Sequence, residues 1–147
     1  MILKPILETP EENKEFMKVP YCREILQMSI DYYKKIGFIQ PWVGYFAESG
    51  GKLVGSAGFK GKPVNGTIEI AYGVFEQFRK QGIGTEICRM MVELALKTDP
   101  SLKINARTLP ENNFSVWILQ KNKFVFSGTV NDPEDGDVWE WEYSGML

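Results

Sequence analysis

The chain contains no histidine. That absence excludes Ser-His-Asp and Cys-His nucleophilic catalysis and every histidine-ligated metal site. Acid–base chemistry near neutral pH must then fall to carboxylates, tyrosine, lysine, cysteine or a free N-terminus. Cysteine is nearly absent too: Cys22 and Cys88 are too few for a disulfide framework or a zinc cluster. No apolar run approaches membrane-spanning length, and the start Met1-Ile-Leu-Lys-Pro5 meets a proline before a signal-peptide core can develop. A net charge of −2 provides no electrostatic footprint for nucleic acid. Together these absences predict a cytoplasmic protein with reduced thiols and neither a nucleic-acid nor a membrane partner.

What is present suits one ordinary domain over residues 1–147, with 44% apolar and 24% charged residues giving a globular balance. Residues 2–7 predict a short strand interrupted by Pro5, hence at a sheet edge. Thr9-Pro10-Glu11-Glu12 reads as a helix start with Thr9 as N-cap. After Val19-Pro20, a second helix carries Cys22, Ile25, Leu26, Ser29, Tyr33 and Ile36 at helical spacing until Gly37 stops it. Residues 42–48 and 53–59 predict two strands joined by Ser49-Gly50-Gly51. A third strand leads to a basic, glycine-containing turn and an amphipathic helix with Ile87, Met90, Met91, Leu94 and Ala95 on one face. Residues 102–107 predict a strand, 114–121 a helix, and 124–130 and 138–143 strands around the acidic turn Asn131-Asp-Pro-Glu-Asp-Gly-Asp137. The order β-α-α-β-β-β-α-β-α-β-β predicts an α/β layered domain with a mixed sheet.

Two segments carry chemistry. In Arg79-Lys-Gln-Gly82-Ile-Gly84, the glycines fall where the turn becomes the first turn of a helix. Free backbone N–H groups and the helix dipole there suit an anion such as a diphosphate, and Arg79 and Lys80 add cations. A tight turn without ligand is the other reading. There is no Gly-x-x-x-x-Gly-Lys-Ser/Thr run for an ATP or GTP loop and no third glycine in dinucleotide spacing. In the second segment, Arg107-Thr-Leu-Pro-Glu-Asn112-Asn-Phe-Ser115, Asn112 reads as the helix N-cap and Ser115 as a first-turn residue. Glu69 interrupts the apolar strand Ile68-Glu-Ile-Ala-Tyr72. It is either a buried carboxylate of raised pKa or a solvated or lysine-paired one. Tyr72 is either a group that orients a bound acceptor or a packed core residue.

Taken together, Arg79-x-x-Gly82-x-Gly84 and Pro110-Glu-Asn112-x-x-Ser115, the latter ending in Lys121-Asn-Lys-Phe124, resemble the two signatures of the GNAT-superfamily N-acetyltransferases. Ile68-Glu-Ile-Ala-Tyr72, Thr85-Glu86 and Asp135-Gly-Asp-Val-Trp139 resemble the branch related to ribosomal-protein N-acetyltransferases. The resemblance runs from about residue 42 onwards and implies a GNAT-like acyl-CoA N-acyltransferase fold. It implies that acetyl-CoA is the co-substrate and that transfer to a primary amine is direct and metal-free. Backbone groups of Lys80, Gln81, Gly82, Ile83, Gly84 and Thr85, with the Arg79 side chain, would hold the pyrophosphate. Val74 would contact the pantetheine arm and polarise the thioester carbonyl, Asn112 would bond to the arm, and Ser115 would lie near the sulfur.

Glu69 is then the candidate base, with Tyr72 secondary to it. The sequence departs from the family at Leu119, where many relatives carry a tyrosine that protonates the leaving thiolate, and at Lys123, where glycine is usual. The acceptor is a small-molecule or peptide amine, and homodimers are frequent in the family. The acidic turn is a solvated hairpin loop or a rim that attracts cationic acceptors. Cys22 and Cys88 read as buried structural thiols. The rival reading is a non-catalytic acyl-CoA-binding or protein-interaction module of the same fold.

Overall fold

The computed structural model describes residues 1–145. Seven strands, β1 (Ile2–Pro5), β2 (Gly44–Ser49), β3 (Lys52–Phe59), β4 (Thr67–Val74), β5 (Lys103–Thr108), β6 (Phe124–Asp132) and β7 (Gly136–Tyr143), form one sheet in the order β1-β2-β3-β4-β5-β7-β6. The helices are α1 (Lys14–Met17), α2 (Arg23–Ile36), α3 (Ile83–Thr98) and α4 (Phe114–Lys121). β4 and β5 pair in parallel and the other neighbours antiparallel. A parallel pair needs a crossover, and α3 supplies it. The mixed sheet and the element order follow the sequence expectation, and β1 is an edge strand. Among the described residues, no helix is long and apolar enough to cross a membrane.

The sheet is covered unequally on its two faces. Tyr45 and Ala47 join Ile68, Ile70, Ile87, Met91, Ile104 and Leu119 in one core, whereas Phe46 joins Phe16, Leu26 and Ile30 in another. Successive strand residues face opposite sides, so α3 and α4 cover one face and α1 and α2 the other. The register Phe46↔Ser56 and Ser56↔Gly73 carries the Phe46 face across to Gly73, Ala71 and Glu69. From there Glu69↔Asn105 and Arg107↔Glu140 carry it on to β7. The second core draws on β2 and β3, and the β4–β7 half of this face carries Glu69, Asn105, Arg107 and Glu140 beside the buried Val138. That asymmetry opens the site.

Several boundaries shift from those read in the sequence. β2 begins at Gly44 because Trp42 and Val43 donate their N–H groups to the carbonyls of Ile39 and Pro41, forming a turn. Ile36 is exposed, and Ile30 fills the α2 face instead. Thr9 Oγ1 does receive the Glu12 N–H, at 3.4 Å. The acidic turn is shorter than expected, since β6 runs to Asp132 and β7 starts at Gly136. Asp132 Oδ1 accepts the N–H groups of Glu134 (2.9 Å) and Asp135 (3.2 Å), folding that turn from within.

Candidate active site

The site begins where two strands part. β4 and β5 are in register from Thr67↔Lys103 to Ile70↔Ala106 and no further, although β4 continues to Val74 and β5 to Thr108. On its other side, β4 stays paired with β3. The Lys60 N–H reaches the Glu69 carbonyl (2.9 Å) and the Phe75 N–H reaches the Val54 carbonyl (3.0 Å). Antiparallel alternation therefore turns the peptide groups of residues 69, 71, 73 and 75 toward β3 and those of Tyr72 and Val74 into the gap. The Val74 carbonyl accepts from Arg79 Nε at 3.3 Å, and its N–H points into the opening.

Above this gap lies the N-terminus of α3. Gly82 is its N-cap, left-handed at φ +77°, and no side chain caps the helix. The first-turn N–H groups of Ile83, Gly84 and Thr85 are therefore available to an anion. The two glycines serve different needs. Gly82 has open space around it and is required for its φ, whereas a Cβ at Gly84 would stand 2.5 Å from Ile118 Cδ1 and 3.2 Å from Val74 Cγ2. Lys80 is left-handed as well, at φ +64°, a conformation that costs a non-glycine residue about 1 kcal/mol. Asn122 Nδ2 donates to the Thr85 carbonyl (3.1 Å) and the Ile118 carbonyl (3.0 Å), tying α4 to the first turn of α3.

On the polar face, a cleft of about 260 Å³ opens at the parting and is lined by Lys60, Glu69, Ala71, Arg107, Asn113 and Ser115, among others. The Glu69 side chain is 22% exposed, so it is neither fully buried nor solvated. Burial raises its pKa above the ordinary carboxylate value, while Arg107 and Lys60 oppose that rise. Its nearest cation is Arg107 rather than a lysine, with Nε at 3.8 Å from Glu69 Oε1. Arg107 also bonds to Asp132 Oδ2 (Nη1, 3.1 Å) and Glu140 Oε2 (Nε, 3.3 Å). Asp132 thus belongs to the site and is not merely a solvated turn residue.

The N-cap of α4 is Asn113, a correction to the assignment of Asn112. Asn113 Oδ1 accepts the N–H groups of Ser115 (3.0 Å) and Val116 (3.3 Å) from an extended backbone at φ −145°. The helix starts at Phe114, and a cap must sit one residue before it to reach the second and third N–H groups. Asn112 is exposed.

A family model for the acetyltransferase (GNAT) domain matches residues 3–125. The chain belongs to the GNAT acetyltransferase family. It is 30% identical over 117 residues to the uncharacterized N-acetyltransferase YjdG of Bacillus subtilis (strain 168), covering 78% of this chain and 67% of that one. Among solved structures it resembles aminoglycoside acetyltransferase AAC(6′)-Ib in complex with ribostamycin and coenzyme A, at 26% identity and a TM-score of 0.60. That likeness covers 70% of this chain and 64% of the other, so the chain spans just under two thirds of that enzyme. The same enzyme is also solved with acetyl-CoA. The ribosomal L7/L12 α-N-protein acetyltransferase RimL, solved with coenzyme A, shares the fold at 16% identity and a TM-score of 0.68 over 95% of this chain and 91% of that one.

Within this GNAT chain, Glu69 and Ser115 meet in one cleft, whereas Tyr72 lies behind it. The Tyr72 ring packs against the α3–α4 core and its hydroxyl donates to the Ser115 carbonyl at 3.1 Å. Burial drives its phenol pKa far above the usual range. Leu119, at the family's tyrosine position, is fully buried, so this GNAT chain directs that position into the core. Lys123, at the usual glycine position, holds φ +67°, which accounts for the glycine preference there. Cys22 and Cys88 are both buried. Burial pushes the Cys88 thiol up to about 12 and the Cys22 thiol up to about 11, so both are poor nucleophiles. Arg107, Lys60 and Asn113 also line the cleft, although no motif in the sequence singles them out. Arg107 carries a usable signal, an arginine near the end of the short strand Lys103–Thr108, whose Ile104 and Ala106 alternate as buried residues.

Proposed function

We propose that this protein is a cytoplasmic N-acetyltransferase moving the acetyl group of acetyl-CoA to a primary amine by direct attack. The observation that carries the reading is the opening between β4 and β5, where the Val74 N–H lies between the uncapped start of α3 and the cleft holding Glu69. Coenzyme A or acetyl-CoA in the related aminoglycoside enzyme supports the same co-substrate here. Backbone groups from Lys80 to Thr85, with Arg79, hold the pyrophosphate. Val74 takes the pantetheine arm, helped by Asn112.

The chemistry asks little of the protein, because the thioester arrives activated. The amine attacks in its neutral form, and Glu69 accepts the one proton that its nitrogen gives up as the C–N bond forms. A carboxylate of raised pKa is suited to that task near neutral pH. The Val74 N–H stabilises the developing oxyanion. The C–S bond then breaks, and the sulfur leaves as thiolate beside Ser115. No tyrosine protonates it, since Leu119 occupies that position. The acceptor amines of the neighbours, an aminoglycoside and a ribosomal protein, mark the range of amines to test.

Incubation with acetyl-CoA and a panel of aminoglycosides, polyamines and N-terminal peptides, following free thiol, decides between enzyme and binding module. Turnover with at least one amine, lost in Glu69→Gln at unchanged coenzyme A affinity, is the expected result. Tight coenzyme A binding with no turnover for any amine would leave the non-catalytic reading.

A further inference from the structure

We infer that Arg107 is the positioning residue of this site: its guanidinium, shared among Glu69 on β4, Glu140 on β7 and Asp132 on β6, holds the Glu69 carboxylate in the cleft and sets how readily it takes a proton. The inference rests on Glu69 being the base, and its test can fail separately from that reading.

The sheet makes the arrangement. Arg107 stands opposite Glu140 in the β5–β7 register, and two residues along the same face from Asn105, the partner of Glu69. One guanidinium thus lies within reach of carboxylates from three strands, with β5 in the middle. The three contacts are graded. Asp132 is the anchor, since its Oδ1 is occupied by the N–H groups of Glu134 and Asp135 and its Oδ2 is left for Arg107 Nη1 at 3.1 Å. Nε is divided between Glu140 at 3.3 Å and Glu69 at 3.8 Å. Glu69 therefore receives only part of the cation's field, because Glu140 competes for the same nitrogen.

The charged groups facing Glu69 are Arg107 from β5, Lys60 from the segment after β3, Glu140 from β7 and Asp132 from β6. Two cations and two further carboxylates make a balance that small changes can tip. Were Arg107 bound to Glu69 alone, the carboxylate would be held ionised and weakly basic. With Arg107 absent, Glu69 would face Glu140 and Asp132 with only Lys60 to help. Glu140 therefore tunes the base by drawing the guanidinium away from it.

Removing the Arg107 charge and removing the Glu140 charge make opposite predictions that a merely structural ion pair would not. A ¹³C titration of the glutamate carboxyls, with the Glu69 signal assigned by its loss in Glu69→Gln, reads the effect without needing turnover. Arg107→Met should raise the Glu69 midpoint by about one pH unit, and Arg107→Lys should restore most of it. Glu140→Gln should lower the midpoint, because it removes a repulsion and frees Nε for Glu69. On any amine that turns over, the acidic limb of kcat should move in the same direction as the Glu69 midpoint in each variant. A Glu69 midpoint unchanged in Arg107→Met, or moved the same way by Glu140→Gln, overturns the inference. Should the midpoints move as stated while no amine is acetylated, Arg107 still positions Glu69 and it is the enzyme reading that fails.

Discussion

The Tyr72 hydroxyl donates to the Ser115 carbonyl at 3.1 Å, joining β4 to the first turn of α4 behind the cleft. The bond lies on the helix-covered side of the sheet, so it acts on the position of Ser115 rather than on a bound amine. Tyr72→Phe should keep the packing and lose one hydrogen bond, costing about 1 kcal/mol in urea denaturation. The pH dependence of kcat should be the same as in wild type. A displaced pH limb would make Tyr72 a proton-handling group after all.

The tandem asparagines before α4 offer a clean comparison. Asn113 caps two N–H groups, whereas Asn112 is exposed. Asn113→Ala should cost about 1 kcal/mol of stability, and Asn112→Ala less than about 0.5 kcal/mol. If Asn112 binds the pantetheine arm, its alanine variant should instead weaken coenzyme A binding by calorimetry. Equal losses of stability in both variants would contradict the cap assignment.

At the anion loop the two glycines should fail in different ways. Gly84→Ala pushes a methyl onto Ile118 Cδ1, 2.5 Å away, and should cost about 1–3 kcal/mol as overpacking. Ile118→Val removes that atom, so the double variant should recover part of the loss, and a cycle of denaturation curves measures the recovery. Gly82→Ala meets no neighbour and should cost about 1 kcal/mol through its left-handed backbone, with no rescue from Ile118→Val. Additive losses in the Gly84–Ile118 cycle would remove the packing explanation.

The sequence made the fold legible through period and punctuation. Helical spacing, the turn glycines and the strand runs were enough for the element order, because each element buries a face that its own residues declare. The anion loop was legible for the same reason, since Gly82 and Gly84 are local requirements. The polar cleft was not. Glu69, Arg107, Asp132 and Glu140 lie up to 71 positions apart in the chain (140 − 69), and what joins them is the register of four strands. Asn112 and Asn113 are chemically identical, so only the backbone at Phe114 could say which one caps. Leu119 reads as a missing tyrosine in the sequence and as a filled core position in the structure.

Glu69 should also trade stability for readiness to react. Its pKa in the folded protein is raised above the ordinary value of 4.5, chiefly by burial. Below 4.5 the carboxyl is protonated in both the folded and the unfolded chain, and its favourable contribution is fully present. As pH rises through the raised folded value, the folded chain must hold a partly buried carboxylate, and that contribution is lost. Glutamine carries no charge at either pH and escapes the loss, while Arg107 keeps Asp132 and Glu140 as partners. Glu69→Gln should therefore gain stability over wild type between about pH 4 and neutrality, as read from urea denaturation at several pH values. A variant that is less stable than wild type at neutral pH, by more than at pH 4, would mean that the Arg107 pairing outweighs desolvation and that Glu69 is held as a structural anion.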